Sequence, residues 1–132
     1  MRTQLLSAIT TATSTLTQFA VSQELPWEQN GLPLYRKNMK KIYVDRTTQV
    51  ENTIINTLDD RNVQTEDSRC LVYVAVDAKN PPSQLDNLIS NILVCKDRTG
   101  INNFNSESDY TLDKTEDVLT YTFEFRLTLL KT

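Results

Sequence analysis

Apolar and polar positions along the chain fall into two periods, and their changes divide it into elements. Leu5, Ile9, Ala12, Leu16 and Phe19 recur at spacings of four and three, which predicts an amphipathic helix over residues 3–20. Its opposite face is rich in Thr and Ser, weak helix formers, so packing of the apolar stripe has to stabilise it. From Phe19 the period shifts to two. Phe19, Val21, Leu25 and Trp27 share a parity, and a short strand is expected to stop near Pro26. Asn30-Gly31 and Pro33 predict a turn or loop, and residues 40–46 read as a second strand. Residues 47–58 fit two patterns. Val50, Ile54 and Leu58 suit a helix, yet they also continue the parity of Ile42 and Val44; an extended, partly irregular segment is the preferred reading. Asp59-Asp60-Arg61-Asn62 predicts a turn.

Residues 68–77 give the clearest strand, with Cys70, Val72, Val74 and Val76 on one side and Leu71, Tyr73 and Ala75 on the other. A strand apolar on both faces belongs in the middle of a covered sheet. Asn80-Pro81-Pro82-Ser83 leads into a second helix, with Ser83 as the expected N-cap and Asp86 three residues on. Leu85, Leu88, Ile89, Ile92 and Leu93 form its stripe, Lys96 and Arg98 lie near its end, and Gly100 is the expected stop. Residues 101–109 read as a polar loop, Tyr110 to Leu112 as the start of a strand, and Asp113 to Asp117 as a turn. In 118–130, Leu119, Tyr121, Phe123, Phe125, Leu127 and Leu129 alternate with Thr120, Thr122, Glu124, Arg126 and Thr128, which predicts a half-buried antiparallel strand. A strand this long at the chain's end raises the expectation of an edge that a neighbouring subunit would cover. The fold class expected is α+β: one mainly antiparallel sheet with the N-terminal helix and the second helix packed against it. The 132 residues fit one domain spanning 1–132.

Composition narrows the function. The formal charge is −3 and the pI about 4.9, so the chain as a whole does not attract nucleic acid. No apolar run is long enough to cross a bilayer. Residues 10–18 are too polar for a signal-peptide core, so the N-terminus is expected to be kept. There is no histidine, which removes histidine-based acid–base relays and the usual zinc sites. Two glycines cannot build a phosphate-binding loop. Cys70 and Cys95 have neither disulfide-framework nor zinc spacing and read as small buried hydrophobes. Carboxylates cluster at Asp59/Asp60, Glu66/Asp67 and Glu107/Asp109. An acid–base pair or a calcium site would need two of these groups to converge; solvated turns are the simpler reading. No enzyme activity, metal or cofactor is expected. Arg36, Lys37, Lys40 and Lys41 form a basic run suited to an acidic protein surface, or a solvated strand entrance. Trp27 is either core or an interface anchor. Together with Asn102, Asn103 and Phe104 of the polar loop, Trp27 and the four basic residues are the candidate partner-contact residues.

The order of elements then suggests a family. The N-terminal amphipathic helix, the strand Lys41-Ile42-Tyr43-Val44-Asp45, the core strand Leu71-Val72-Tyr73-Val74-Ala75-Val76-Asp77, the helix approach Ala78-Lys79-Asn80-Pro81-Pro82-Ser83-Gln84-Leu85 and the closing Tyr121-Thr122-Phe123-Glu124-Phe125-Arg126-Leu127 resemble the tail terminator (tail completion) proteins of long flexible-tailed, lambda-like bacteriophages. The resemblance covers nearly the whole chain and rests on element order, length and strand texture. It implies the tail terminator fold and a homohexameric ring that caps the tail tube, stops its polymerisation and offers a docking surface to the head-completion or connector protein. DNA would pass through the lumen without sequence-specific binding. The protein would be part of the virion, at the head–tail junction, after assembly in the host cytoplasm. A head–tail connector or a minor tail structural protein is the alternative. Residues 47–58 match no part of the family pattern.

Overall fold

The computed structural model describes residues 2–56, 62–95, 103–104 and 111–131. The chain runs α1 (Arg2–Ala12), β1 (Ala20–Val21), α2 (Leu34–Lys37), β2 (Lys41–Val44), β3 (Thr48–Asn56), β4 (Asn62–Asp77), α3 (Leu85–Leu93), β5 (Asn103–Phe104), β6 (Thr111–Thr115) and β7 (Val118–Lys131). It is an α+β protein whose seven described strands lie in one sheet. All neighbouring strands are antiparallel except β1 and β2, which are parallel.

β4 and β7 form the spine of the sheet, in continuous register from Gln64↔Lys131 to Asp77↔Val118. The other border of β4 carries β2 opposite 72–74 and β3 opposite 62–69. The other border of β7 carries β6 opposite 118–122 and β5 opposite 125–126. The expectation that the last strand is an edge is therefore corrected over 118–122 and 125–126, which β6 and β5 flank; over 127–131 no strand among the described residues lies on that border. Residues 113–115, expected in a turn, instead belong to β6, and the chain reverses over Glu116 and Asp117 alone. Glu116 has φ 55, as the first central residue of a two-residue hairpin often requires.

Paired residues point to the same side, so alternation along β4 and β7 defines two faces. On the first face Cys70, Val72, Val74, Val76, Tyr121, Phe123 and Phe125 meet Leu5, Leu6 and Ile9 of α1 and Leu85, Leu88 and Ile92 of α3 in the main core. On the reverse face Tyr35, Tyr43, Tyr73 and Ala75 form a second, smaller core, with Leu34, Leu71 and Val118 against it. The two expected helices therefore cover one face. α2, only four residues long, contributes to the other. Thr120 is also buried on the reverse face, and among the described residues its hydroxyl has no hydrogen-bond partner.

α1 stops well short of residue 20. The hydroxyls of Thr10, Thr11 and Thr13 donate to the carbonyls of Leu6, Ser7 and Ile9, four residues back. Such bonds draw on carbonyls already used by the helix and weaken it. The chain turns over 13–18, yet Leu16 and Phe19 still reach the main core. β1 is shorter than expected because the Ser22 hydroxyl accepts from the Glu24 amide and turns the chain. Residues 48–56 are strand, as preferred from sequence, with an irregularity between Gln49 and Glu51. β4 begins at Asn62, earlier than its apolar part suggests, because β3 and β7 flank its polar start.

Ser83 is not the cap of α3. A turn closed by the Leu85 amide on the Pro82 carbonyl precedes the helix, whose N-cap is Gln84. Gln18 anchors that point from the turn after α1. Its side-chain oxygen accepts from the Gln84 amide at 2.8 Å, and its own amide donates to the Gln84 side chain at 3.0 Å. We expect Gln18→Ala to cost about 1 kcal/mol and lower Tm by about 4 °C, as calorimetry will register. Ser83→Ala should change stability by less than about 0.5 kcal/mol. The stop at Gly100, with Lys96 and Arg98, lies outside the described residues.

Candidate functional site

The candidate partner-contact residues gather mainly on the reverse face, around α2. Trp27 is joined to Pro33 by an isolated bridge. Between them a turn closes through the Glu28 amide on the Leu32 carbonyl at 2.8 Å, with Gly31 at φ 79. A positive φ costs glycine nothing. The Leu34 amide then donates to the Pro26 carbonyl at 2.7 Å, fixing the loop to the start of α2.

This arrangement sets Trp27 beside two tyrosines. Tyr35 from α2 stacks on Tyr73 from β4, with centroids 4.8 Å apart and planes 5° from parallel. Trp27 stands near-perpendicular to both, at 5.8 and 6.1 Å. The similar distances place the indole alongside the stack. Trp27 remains 44% exposed, so it joins both sequence readings: one part of the ring supports the small core and another meets solvent. Leu32 and Met39 of the same segment are 47% and 43% exposed.

The basic run divides in two. Arg36 donates to Asp113 of β6 at 2.8 Å, and Lys37 pairs with Glu28 at 2.9 Å. These surface pairs tie α2 to β6 and to the turn that precedes α2, and contribute little to stability. Lys40 and Lys41 are exposed, and among the described residues neither makes an ion pair. Lys40 has φ 72. Its amide donates to the Ala75 carbonyl at 2.8 Å and its carbonyl accepts from the Ala20 amide at 3.2 Å. The backbone at Lys40 is thus held in a conformation that costs a side-chain-bearing residue about 1 kcal/mol or more.

Asn103 and Phe104 lie in β5, opposite Arg126 and Phe125, away from α2 and not in the expected loop. Asn102 lies outside the described residues, as do Asp59, Asp60, Glu107 and Asp109. Glu66 and Asp67 sit within β4, not in a turn. Among the described residues no group of three or more potential metal ligands gathers, and no helix is long and apolar enough to cross a membrane.

Sequence reasoning did not single out Asp45. It follows β2, its amide donates to the Leu71 carbonyl at 2.8 Å, and its side chain therefore shares the reverse face with Tyr43 and Lys41. Asp45, Arg46, Leu25, Trp27, Glu28 and Gln29 line a groove of about 320 Å³. Below it, burial first and the Asp45 carboxylate second push the Tyr73 hydroxyl from 10.0 up to about 12. On the helix-covered face the Cys70 thiol donates to the Asp45 carbonyl at 3.1 Å. Burial, reinforced by Asp45, raises it from 9.0 to about 11. Cys95 is also buried, and its thiol donates to the Asn91 carbonyl. Both thiols are buried and hydrogen-bonded to backbone carbonyls. No protein-family profile matches the chain, and no curated protein matches its sequence.

Proposed function

We propose that the chain is a non-catalytic assembly protein of a phage tail, a terminator that forms a hexameric ring on the end of the tube. The ring stops tube growth and presents a surface to the head-completion or connector protein. DNA passes through its lumen. The finished protein belongs to the virion at the head–tail junction. The resemblance in element order motivates this reading, together with the tail terminator fold it implies.

The observation that carries it is the open border of the sheet. β3, the first half of β4 and the end of β7 pair as three adjacent strands. Among the described residues no further strand lies beside β3 over 51–56 or beside β7 over 127–131. Open strand borders are readily closed by pairing with another chain, and closed rings satisfy all such borders at once. Lys40 and Lys41, which make no ion pair among the described residues, offer positive charge to an acidic neighbour.

Mass measurement of the purified protein, alone and with tube subunits, tests the ring. A sixfold mass in either condition supports it; a monomer in both overturns it. Tube assembly without the protein separates the two tail readings. Overlong tubes mark a terminator, and normal but unjoined tails mark a connector. For the docking face, the double variant Lys40→Glu/Lys41→Glu should keep the wild-type Tm and co-sediment with tubes at least about tenfold less tightly. Unchanged sedimentation would remove the basic run from the interface.

A further inference from the structure

We infer that the groove between Trp27 and Asp45 receives an arginine side chain from a different protein. The inference needs only one copy of the chain, so it stands or falls apart from the ring.

Three observations carry it. The groove joins a half-exposed indole to a carboxylate. Its volume, about 320 Å³, holds one long side chain. A guanidinium is planar, stacks on an aromatic face and offers paired donors to a carboxylate, so it matches both walls at once. The charges also point one way. Glu28 is engaged by Lys37. Among the described residues Asp45 has no ion pair, and its side chain accepts from the Arg46 amide at 2.7 Å. A partly enclosed carboxylate beside an indole is a cation-binding arrangement.

The described arginines do not point to a second copy as the source, because each is placed elsewhere; Arg61 and Arg98 lie outside the described residues. Arg2 donates to the Val44 and Gln23 carbonyls. Arg36 holds Asp113, and Arg126 holds Glu124. Arg69 is half-buried within β4, and Arg46 is part of the groove itself.

Trp27 is the chain's only tryptophan, so its fluorescence reports the groove directly. The probe is N-acetyl-arginine amide at constant ionic strength, with N-acetyl-citrulline amide as the uncharged mimic. We expect saturable quenching by the arginine compound and none by the citrulline compound. Asp45→Asn should weaken binding at least tenfold. Amide NMR shifts should move over 25–29 and 45–46 and stay fixed over 3–11, which keeps the test decisive should Asp45→Asn fold poorly. Equal responses to the two compounds, absence of saturation, or unimpaired binding by folded Asp45→Asn would overturn the inference. So would a concentration-dependent Trp27 change without probe that Asp45→Asn abolishes, because the occupant would then be a second copy.

Discussion

Phe123→Ala should destabilise the protein by about 3–5 kcal/mol. Phe123 is 0% exposed and lies opposite Val72 in the spine of the sheet. Cys70, Phe125, Val74 and Tyr121 occupy the neighbouring pairs on the same face, and α1 and α3 close over them. Removing the ring leaves a cavity between two layers that regular structure holds apart, so little collapse can fill it. Domains of this size have about 5–15 kcal/mol of total stability, and the variant will lose a large part of it. The urea midpoint should fall steeply with an unchanged slope. Thr122→Ala, on the opposite face of the same strand and only half-buried, should cost less than about 1 kcal/mol. Equal losses at the two positions would contradict the assignment of faces.

Alkaline pH should weaken the fold before it reaches the lysines. Cys70 ionises at 9.0 in the open chain and near 11 in the folded one. Between those values the unfolded state has lost a proton that the native state keeps, so stability falls as pH rises. The contribution is fully present below pH 9 and lost by about pH 11. A displacement of about two pH units corresponds to about 2–3 kcal/mol. Tyr73 adds a second decline between 10.0 and about 12. Urea midpoints measured from pH 8 to 12 should show both. Cys70→Ala will start from a lower stability and flatten the first decline; Tyr73→Phe will flatten the second. A Cys70→Ala variant with the wild-type pH slope would rule out the buried thiol as the cause.

What the sequence revealed follows from where each element sits. β4 and β7 were legible because burial imposes alternation on them, over Cys70 to Val76 and Leu119 to Phe125. α3 was legible because its stripe faces one layer. β6 escaped in part because Thr111 to Thr115 are exposed throughout, and solvent on both sides leaves no pattern to read. α2 spans barely one turn, too little for a helical period to repeat. Thr13 through Gln18 kept the helical spacing of Leu16 and Phe19 without the helix, since a folded-back turn brings the same residues to the same core. At the candidate site, Trp27 and the basic run were visible as residue types. Asp45 was not, because only the fold of 25–29 against the end of β2 makes it a wall of the groove, and local spacing does not encode that approach.

The spine of the sheet joins residues far apart in the chain, and this orders events during translation. Cys70, Val72, Val74 and Val76 are made about fifty residues before their partners on β7. Until 118–131 have left the ribosome, this apolar row has only β2 and the helices for company, and one whole border of β4 stays open. Long-range pairing of this kind is slow and leaves a sticky intermediate. A nascent chain halted before Val118 is therefore the species most exposed to aggregation and the natural client of a chaperone.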